Sequence, residues 1–337
     1  MIESPMPGSS AGSPAYSEIP LPPAAFAQAA RRIAEHAHHT PLVTSRMLSE
    51  ASGFDVRLKA ELLQRTGSYK IRGPLNKLSQ LDADARRRGV ICSSAGNHAQ
   101  GVALAARLYG IPATVVMATN ATQSKVDATR AYGAEVVLHG SIWDEADAKA
   151  RELVAEKGYV YVHPFDDLEL IAGQGTVGWE IYHDWQDIDI AVVPIGGGGL
   201  ISGVAMALKG LNPAIRIIGV ESAGAPAMQQ SLAAGQRITL DRVDCKIDGL
   251  KVMRVGEQTF EIVRRYVDDV VSLPDRDIFD AMLWTWSHTK FMAEAAAAAP
   301  VAALLHGLVD APPGSKVACV LSGGNVNLDQ VRGLDWN

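Results

Sequence analysis

The chain has 337 residues, of which 47% are hydrophobic and 20% are charged, and its formal net charge is −6. This composition is typical of a soluble globular protein of about two domains. The acidic balance and the absence of a long basic run argue against nucleic acid as a partner, and no apolar stretch is long enough to span a bilayer. We therefore expect a cytoplasmic protein that acts on a small molecule.

The first 23 residues are rich in Pro, Ser, Gly and Ala, and they lack the cationic and apolar segments of a signal peptide. A mobile tail is expected over residues 1–23. The three cysteines fit no zinc-binding spacing, so reduced thiols are the simplest interpretation.

Short β-rich runs alternate with helical patterns along the rest of the chain. Strands are predicted at residues 89–94, 113–118, 135–139, 159–163, 190–195, 215–221, 269–273 and 316–322. The alternation indicates an α/β fold with parallel sheets covered by helices on both faces. The strands between residues 89 and 166 are expected to form a small domain, and residues 24–88 and 167–337 a large one.

Four consecutive glycines, Gly196, Gly197, Gly198 and Gly199, follow one predicted strand and precede a helix pattern. Because glycine lacks a Cβ, this tetraglycine turn can approach another group closely and point several N–H donors at one spot. The helix N-terminus adds a partial positive charge there. The turn therefore predicts a cradle for an anion, most often a phosphate.

Lys70 lies between two apolar residues, Tyr69 and Ile71. In such a setting a lysine loses its proton more easily and can form a Schiff base with an aldehyde. A surface lysine between two core residues is the alternative, and this segment alone favours that plainer interpretation.

Several short segments with distinctive residues occur in a fixed order along the chain. They are SYKIRG at 68–73, SAGNHAQG at 94–101, HPFDD at 163–167, AGQGT at 172–176, the tetraglycine turn, and SGGN at 322–325. Together they resemble the serine/threonine dehydratase family of fold type II pyridoxal phosphate (PLP) enzymes, to which serine racemase also belongs. The resemblance covers about residues 40–327. It implies a two-domain architecture like that of the tryptophan synthase β subunit, with parallel twisted sheets flanked by helices.

The resemblance implies a role for each cofactor-binding residue. Lys70 would hold PLP covalently and then act as the base at the substrate Cα, and the tetraglycine turn would bind the phosphate. Tyr69 and Gly249 would lie on opposite faces of the ring, and Asn97 would hydrogen-bond the 3-hydroxyl group. Ser322 would face the pyridine nitrogen as a neutral partner, which suits β-elimination better than transamination. From the residues alone, Asn97 could instead cap the helix that follows it.

The turn at residues 93–98, the predicted substrate turn, contains Asn97 and would receive the substrate carboxylate. Its implied substrate-binding residues are Ser93, Ser94, Ala95, Asn97 and His98. Ala95 stands where serine racemases carry the serine that serves as their second acid, so the resemblance implies an ammonia-lyase. The expected reaction converts a 3-hydroxy amino acid, first L-threonine or L-serine, to a 2-oxo acid and ammonia.

Three alternatives stay open for the substrate and the reaction. A hydroxyaspartate would need a cation for its second carboxylate, and Arg72 or Lys251 could supply one. The stretch 291–298 departs from the family pattern near the pyridine edge, so another 3-hydroxy amino acid, including one from hydroxyectoine breakdown, is also possible. Serine racemase activity is the third alternative.

The resemblance also bears on metals and partners. Many relatives bind a divalent cation through a glutamate, a backbone carbonyl and an aspartate, and Glu221 and Ala225 match the first two positions. Ala227 replaces the aspartate, so a Mg²⁺ or Ca²⁺ site is expected to be weak or missing. The family commonly forms dimers, which implies a homodimer here.

Overall fold

The computed structural model describes residues 21–326 and 328–333. The mobile tail predicted for residues 1–23 lies outside the described residues up to residue 20, and Pro23 already begins the first helix. The strands are β1 (Leu42–Thr44), β2 (Asp55–Ala60), β3 (Val90–Ser93), β4 (Ala113–Met117), β5 (Glu135–Leu138), β6 (Val160–Tyr161), β7 (Ile190–Pro194), β8 (Arg216–Ser222), β9 (Asp269–Leu273) and β10 (Lys316–Leu321).

The helices surround these strands. They are α1 (Pro23–Ile33), α2 (Arg46–Ser52), α3 (Arg72–Ser79), α4 (Ala83–Arg88), α5 (Asn97–Leu108), α6 (Gln123–Ala131), α7 (Trp143–Lys157), α8 (Leu168–Asp184), α9 (Gly199–Leu211), α10 (Ala227–Ala234), α11 (Glu257–Tyr266), α12 (Asp275–Thr289), α13 (Ala295–Leu305) and α14 (Leu328–Arg332). In the described part of the chain, no helix combines the length and the apolar character needed to cross a membrane.

The strands form two sheets. The larger has six strands in the order β1-β2-β10-β7-β8-β9, and all its pairings are parallel except that of β1 with β2. The smaller has four parallel strands in the order β5-β4-β3-β6. All strands of the smaller sheet fall within residues 89–166. The division into two domains at the expected boundaries stays a prediction.

The predicted parallel α/β fold is confirmed, and every predicted strand is present within two residues at each end. The prediction did not include β1 and β2. β1 is a three-residue edge strand. β2 contains the charged residues Asp55, Arg57 and Lys59, so its sequence lacks the continuous apolar run that predicts a strand inside a parallel sheet.

Glycines allow helix α8 to pack closely on its neighbours α3 and α9. A Cβ at Gly173 would come within 2.5 Å of the Arg72 carbonyl oxygen. A Cβ at Gly203 would come within 2.5 Å of the Gly175 nitrogen. Because these contacts leave no room for side chains, they fix α3 and α9 against α8. The turn that contains Lys70 directly precedes α3, and the tetraglycine turn leads into α9.

Candidate active site

A cavity at the carboxyl ends of the larger sheet brings together residues that are far apart in the sequence. Six residues predicted to contact the cofactor line it: Tyr69, Lys70, Asn97, Gly196, Gly249 and Ser322. The lining is completed by Pro194, Leu200, Leu250, Glu294 and Ala296. The position agrees with the rule that ligands bind beyond the carboxyl ends of parallel strands.

Lys70 lies on a short 3₁₀ turn, Tyr69–Ile71, and its amine reaches the segment that follows β6. Nζ donates a hydrogen bond to the Pro164 carbonyl oxygen at 2.8 Å. Burial lowers the pKa of the Lys70 amine to about 8, although the nearby carboxylate of Glu294 opposes this shift. A lysine with this pKa is partly neutral near physiological pH, and the neutral amine is the form that attacks an aldehyde.

Main-chain bonds join the lysine turn to the loop that contains Ser322. The Tyr69 N–H donates to the Ser322 carbonyl at 3.1 Å, and the Gly324 N–H donates to the Gly67 carbonyl at 2.8 Å. Helix α5 also approaches this turn, because a Cβ at Gly101 would lie 2.7 Å from the Lys70 carbonyl oxygen. The backbone around Lys70 is therefore fixed from two sides.

The tetraglycine turn accepts only glycine at several positions. Gly198 has a φ of +95° and precedes the first residue of α9. A Cβ at Gly197 would lie 2.2 Å from the Phe165 ring, and one at Gly196 would lie 2.4 Å from the Gly249 carbonyl oxygen. Within the described residues, the N–H groups of this turn donate to no protein acceptor. Several free donors at a helix N-terminus are what a phosphate group needs.

Asn97 begins helix α5, and its side chain does not cap that helix. Its Nδ2 donates to Glu294 Oε1 at 2.7 Å, and its Oδ1 accepts a hydrogen bond from Asn325 Nδ2 at 2.8 Å. The side chain therefore crosses the cavity from the small sheet to the loop before α13. The alternative in which Asn97 caps its own helix does not agree with this geometry.

Glu294 lines the cavity. Sequence analysis placed it only within the stretch 291–298 near the pyridine edge and gave it no role of its own. Burial raises the pKa of its carboxyl group to about 7, and the hydrogen bond from Asn97 partly opposes this. Its N–H donates to the Gly323 carbonyl at 3.0 Å, which holds it beside the Ser322 loop. In the sequence the signal was a lone acidic residue before a run of alanines, and nothing local connects it with Asn97.

The predicted substrate turn lies at the end of β3, next to the cavity. Ser93 is buried, and since Ile91 packs towards α7 while Cys92 packs towards α5, alternation directs the Ser93 side chain to the α7 face. Ser94 Oγ accepts a hydrogen bond from the Gly96 N–H at 3.2 Å. Neither Ser94 nor Ala95 is buried. The contact of Ser93, Ser94 and Ala95 with the substrate stays a prediction.

His98 is buried under the same turn. Its Nε2 lies 3.0 Å from the Val162 carbonyl oxygen and donates to it. Burial lowers the pKa of His98 to about 3, so the imidazole is neutral at physiological pH. Its side chain is thus placed to hold the start of α5, and its contact with the substrate carboxylate stays a prediction.

The weak metal prediction concerned Glu221 and Ala225. Both Glu221 carboxylate oxygens accept N–H groups at the start of α10, from Met228 at 2.9 Å and Gln229 at 2.8 Å. The Ala225 carbonyl accepts the Ala227 N–H at 2.9 Å. Among the described residues, no group of three or more His, Cys, Asp or Glu side chains is arranged to hold a metal ion.

Arg72 is fully buried and is not available to a substrate. Its guanidinium forms a bidentate pair with Glu61 at 2.7 and 2.8 Å. It also donates to both carboxylate oxygens of Glu180, at 2.6 and 2.9 Å. The suggestion that Arg72 binds the second carboxylate of a hydroxyaspartate is therefore wrong.

Comparison with known proteins agrees with this cavity. The sequence pattern of the family described as "Pyridoxal-phosphate dependent enzyme" matches residues 33–323. An L-threonine ammonia-lyase of Thermotoga maritima is 46% identical over 304 residues, which cover 90% of this chain and 75% of that protein. The protein named L-threonine dehydratase catabolic TdcB, of Escherichia coli K12, is 44% identical over 305 residues, which cover 90% and 93%. The structure of maize serine racemase superposes with a TM-score of 0.89 at 38% identity, covering 93% of this chain and 96% of that one.

The cavity also has the groups that a phosphorylated aldehyde requires. The tetraglycine turn offers free N–H donors to a phosphate, and the Lys70 amine has the lowered pKa of a group that reacts with an aldehyde. Tyr69, Asn97 and Ser322 line the same space, where a ring with polar substituents would need them. The family match and this set of donors agree, and the chain belongs to the family of pyridoxal-phosphate-dependent enzymes.

Proposed function

We propose that this chain is an ammonia-lyase that eliminates water from a 3-hydroxy amino acid, with L-threonine as the first candidate substrate and L-serine as the second. The observation that carries the proposal is the Lys70 amine of lowered pKa in one cavity with Asn97, Gly196 and Ser322. The relatives named for activity on L-threonine support this substrate class.

The residues divide the chemistry between them. When bound, PLP supplies an electron sink for the carbanion at the substrate Cα. Lys70 holds the cofactor and then takes the Cα proton, because among the described residues it is the one amine that lines the cavity. The Cβ–O bond then breaks while the leaving hydroxyl takes up a proton equivalent to the one lost from Cα, so that water departs. The resulting enamine tautomerises to an imine, and water hydrolyses the imine to a 2-oxo acid and ammonia. Ser322 is a neutral partner for a ring nitrogen, which favours this prompt elimination over reactions that need a long-lived carbanion.

Racemisation is the competing activity, because a serine racemase structure is similar to this one. A racemase must protonate Cα from the face opposite its lysine, and a methyl side chain at Ala95 donates no proton there. The neighbouring Ser94 oxygen accepts the Gly96 N–H, which ties this side chain to its own turn. The alanine at position 95 is what supports chemistry on one face, as elimination requires.

The substrate proposal also rests on the charges around the cavity. Arg72 is fully engaged with buried carboxylates, so it gives no support to a dicarboxylate substrate. Lys251 is exposed and lies 3.4 Å from Asp248. A substrate with one carboxylate, such as threonine, therefore fits the described residues better than hydroxyaspartate.

Cytoplasmic location and a homodimer belong to the same proposal. Cys92, Cys245 and Cys319 are free and buried in the structure, which agrees with a reducing compartment. The homodimer is proposed from the family resemblance, and light scattering coupled to gel filtration tests it.

A panel of 3-hydroxy amino acids tests the function. L-threonine, L-serine, both hydroxyaspartate diastereomers and phenylserine should be scored for 2-oxo acid and ammonia, with Lys70→Ala as the matched control. We expect the highest kcat/KM for L-threonine and no product with the control. Formation of no 2-oxo acid from any compound would refute the proposal, and D-serine recovered from L-serine would favour a racemase.

A further inference from the structure

Trp143 is a large aromatic residue on the surface near the predicted substrate turn. It begins helix α7, and 44% of it is exposed to solvent. Its indole Nε1 donates a hydrogen bond to the Ser93 carbonyl oxygen at 3.1 Å. The bond joins two residues 50 positions apart, and it reaches the last residue of β3. Sequence analysis gave Trp143 no function.

Several hydrogen bonds hold the loop that precedes Trp143. Ser141, just before α7, donates its N–H and its hydroxyl to Glu145 Oε2. The loop before Trp143 is bound to the neighbouring loop, since Thr119 Oγ1 donates to the Gly140 carbonyl at 2.7 Å. Asn120 Nδ2 adds a hydrogen bond to the Ser141 carbonyl at 3.0 Å. Trp143 therefore extends from a rigid base.

The bond to Ser93 fixes one end of a short turn. Only residues 94–96 separate Ser93 from Asn97, which lines the cavity. The other end is fixed by His98, whose ring N–H donates to the Val162 carbonyl. Between these anchors, the turn has the Ser94 N–H bond to Val116 at 3.2 Å and the Gly96 N–H bond to Ser94 Oγ.

We propose that Trp143 is a positioning residue that holds this turn in the shape that receives the substrate carboxylate. The inference rests on the proposed function, because that function assigns the turn to the substrate. Trp143 does not line the cavity, so it acts through the Ser93 carbonyl. A turn held in its binding shape loses less conformational freedom when the ligand arrives. Since the carboxylate is held equally in the ground state and the transition state, the effect falls on KM.

The test compares Trp143→Phe with Trp284→Phe in the PLP-loaded enzyme. Trp143→Phe keeps an aromatic ring but removes the N–H donor. Trp284 is the matched control, because its ring stacks on His288 with centroids 4.3 Å apart and lies on α12 away from the turn. Amide hydrogen exchange over residues 93–98 is read beside KM and kcat for L-threonine.

With Trp143→Phe we expect KM to rise about fivefold to tenfold, as for one lost hydrogen bond, with kcat within about twofold of the parent value. Amide exchange should become faster in the 93–98 peptide and stay unchanged in α12, while Trp284→Phe changes none of these quantities. Unchanged exchange or an unchanged KM in Trp143→Phe would overturn the proposal. If the parent enzyme turned over no amino acid, the proposed function would fail. The exchange measurement would then still decide whether Trp143 anchors the turn.

Discussion

Asn97 Nδ2 donates a 2.7 Å hydrogen bond to Glu294 Oε1, and the two residues are 197 positions apart in the chain. The bond connects the start of α5, which follows β3 of the small sheet, with the start of α13, which packs against the large sheet. Both residues line the cavity that contains the Lys70 amine. The two sheets thus meet at the candidate site through polar side chains.

Glu294 should make the stability of the cofactor-free chain depend on pH. Its pKa is about 7 in the folded protein and 4.5 in the reference state, so the native state binds more protons between these values. Its contribution to stability is therefore complete below about pH 4.5 and is lost as the pH rises through 7. Glu294→Gln removes this loss, so its Tm should fall less than that of the parent between pH 5 and pH 8 in calorimetry.

The comparison between parent and variant isolates Glu294 from Glu221, whose pKa is also raised to about 7 by burial. Glu221 remains in both proteins and cancels in the difference. Equal changes in Tm for parent and variant over this pH range would show that Glu294 does not titrate as described.

Lys70 should react with free PLP at a rate that follows its lowered pKa. With a pKa of about 8, about a quarter of the amine is neutral at pH 7.5, compared with about a thousandth for an ordinary lysine. The rate of covalent attachment to cofactor-free protein, followed by absorbance, should rise with pH and level off above about pH 8. A rate that still rises tenfold per unit up to pH 10 would contradict the shift.

Gly197→Ala should weaken PLP binding because the new methyl group would meet the Phe165 ring, 2.2 Å away. We expect the Kd to increase at least about tenfold, which corresponds to ~1.4 kcal/mol. The double variant Gly197→Ala/Phe165→Leu relieves the contact and should recover part of the affinity. Equally weak binding in both would indicate a cause other than this clash, and equilibrium dialysis measures both.

Arg72→Met should destabilise the fold strongly, since it leaves the carboxylates of Glu61 and Glu180 without their main cation. Breaking a buried ion pair in this way costs about 3–5 kcal/mol of unfolding free energy. The control is Arg46→Ala, because Arg46 and its partner Glu50 are largely exposed and should matter little. Urea unfolding compares the two variants, and similar losses would contradict the special role of the buried pair.

The sequence predicted those parts of the fold and site that depend on local patterns. Buried parallel strands appear as short apolar runs, and the tetraglycine turn and Lys70 stand in distinctive segments, so their positions could be predicted. β2 could not, because Lys59 is buried and charged. Its amine forms an ion pair with the carboxylate of Glu180 at 2.6 Å, and the two residues are 121 positions apart in the sequence.

The rest of the site depends on partners that only the fold brings together. Glu294 becomes a cavity residue through Asn97, and the Lys70 amine is oriented by a main-chain carbonyl, that of Pro164. Every residue has a main-chain carbonyl, so the sequence does not indicate which one accepts this hydrogen bond. The prediction of Arg72 as a substrate ligand was wrong for the same reason, because the sequence does not indicate that Glu61 and Glu180 are its partners.

Borohydride reduction followed by peptide mapping tests the central claim most directly, because reduction fixes PLP to the amine that holds it. The purified enzyme should carry the pyridoxyl label on the peptide that contains Lys70, and Lys70→Ala should carry none there. A label on another lysine, or an active enzyme with an unlabelled Lys70, would contradict the account.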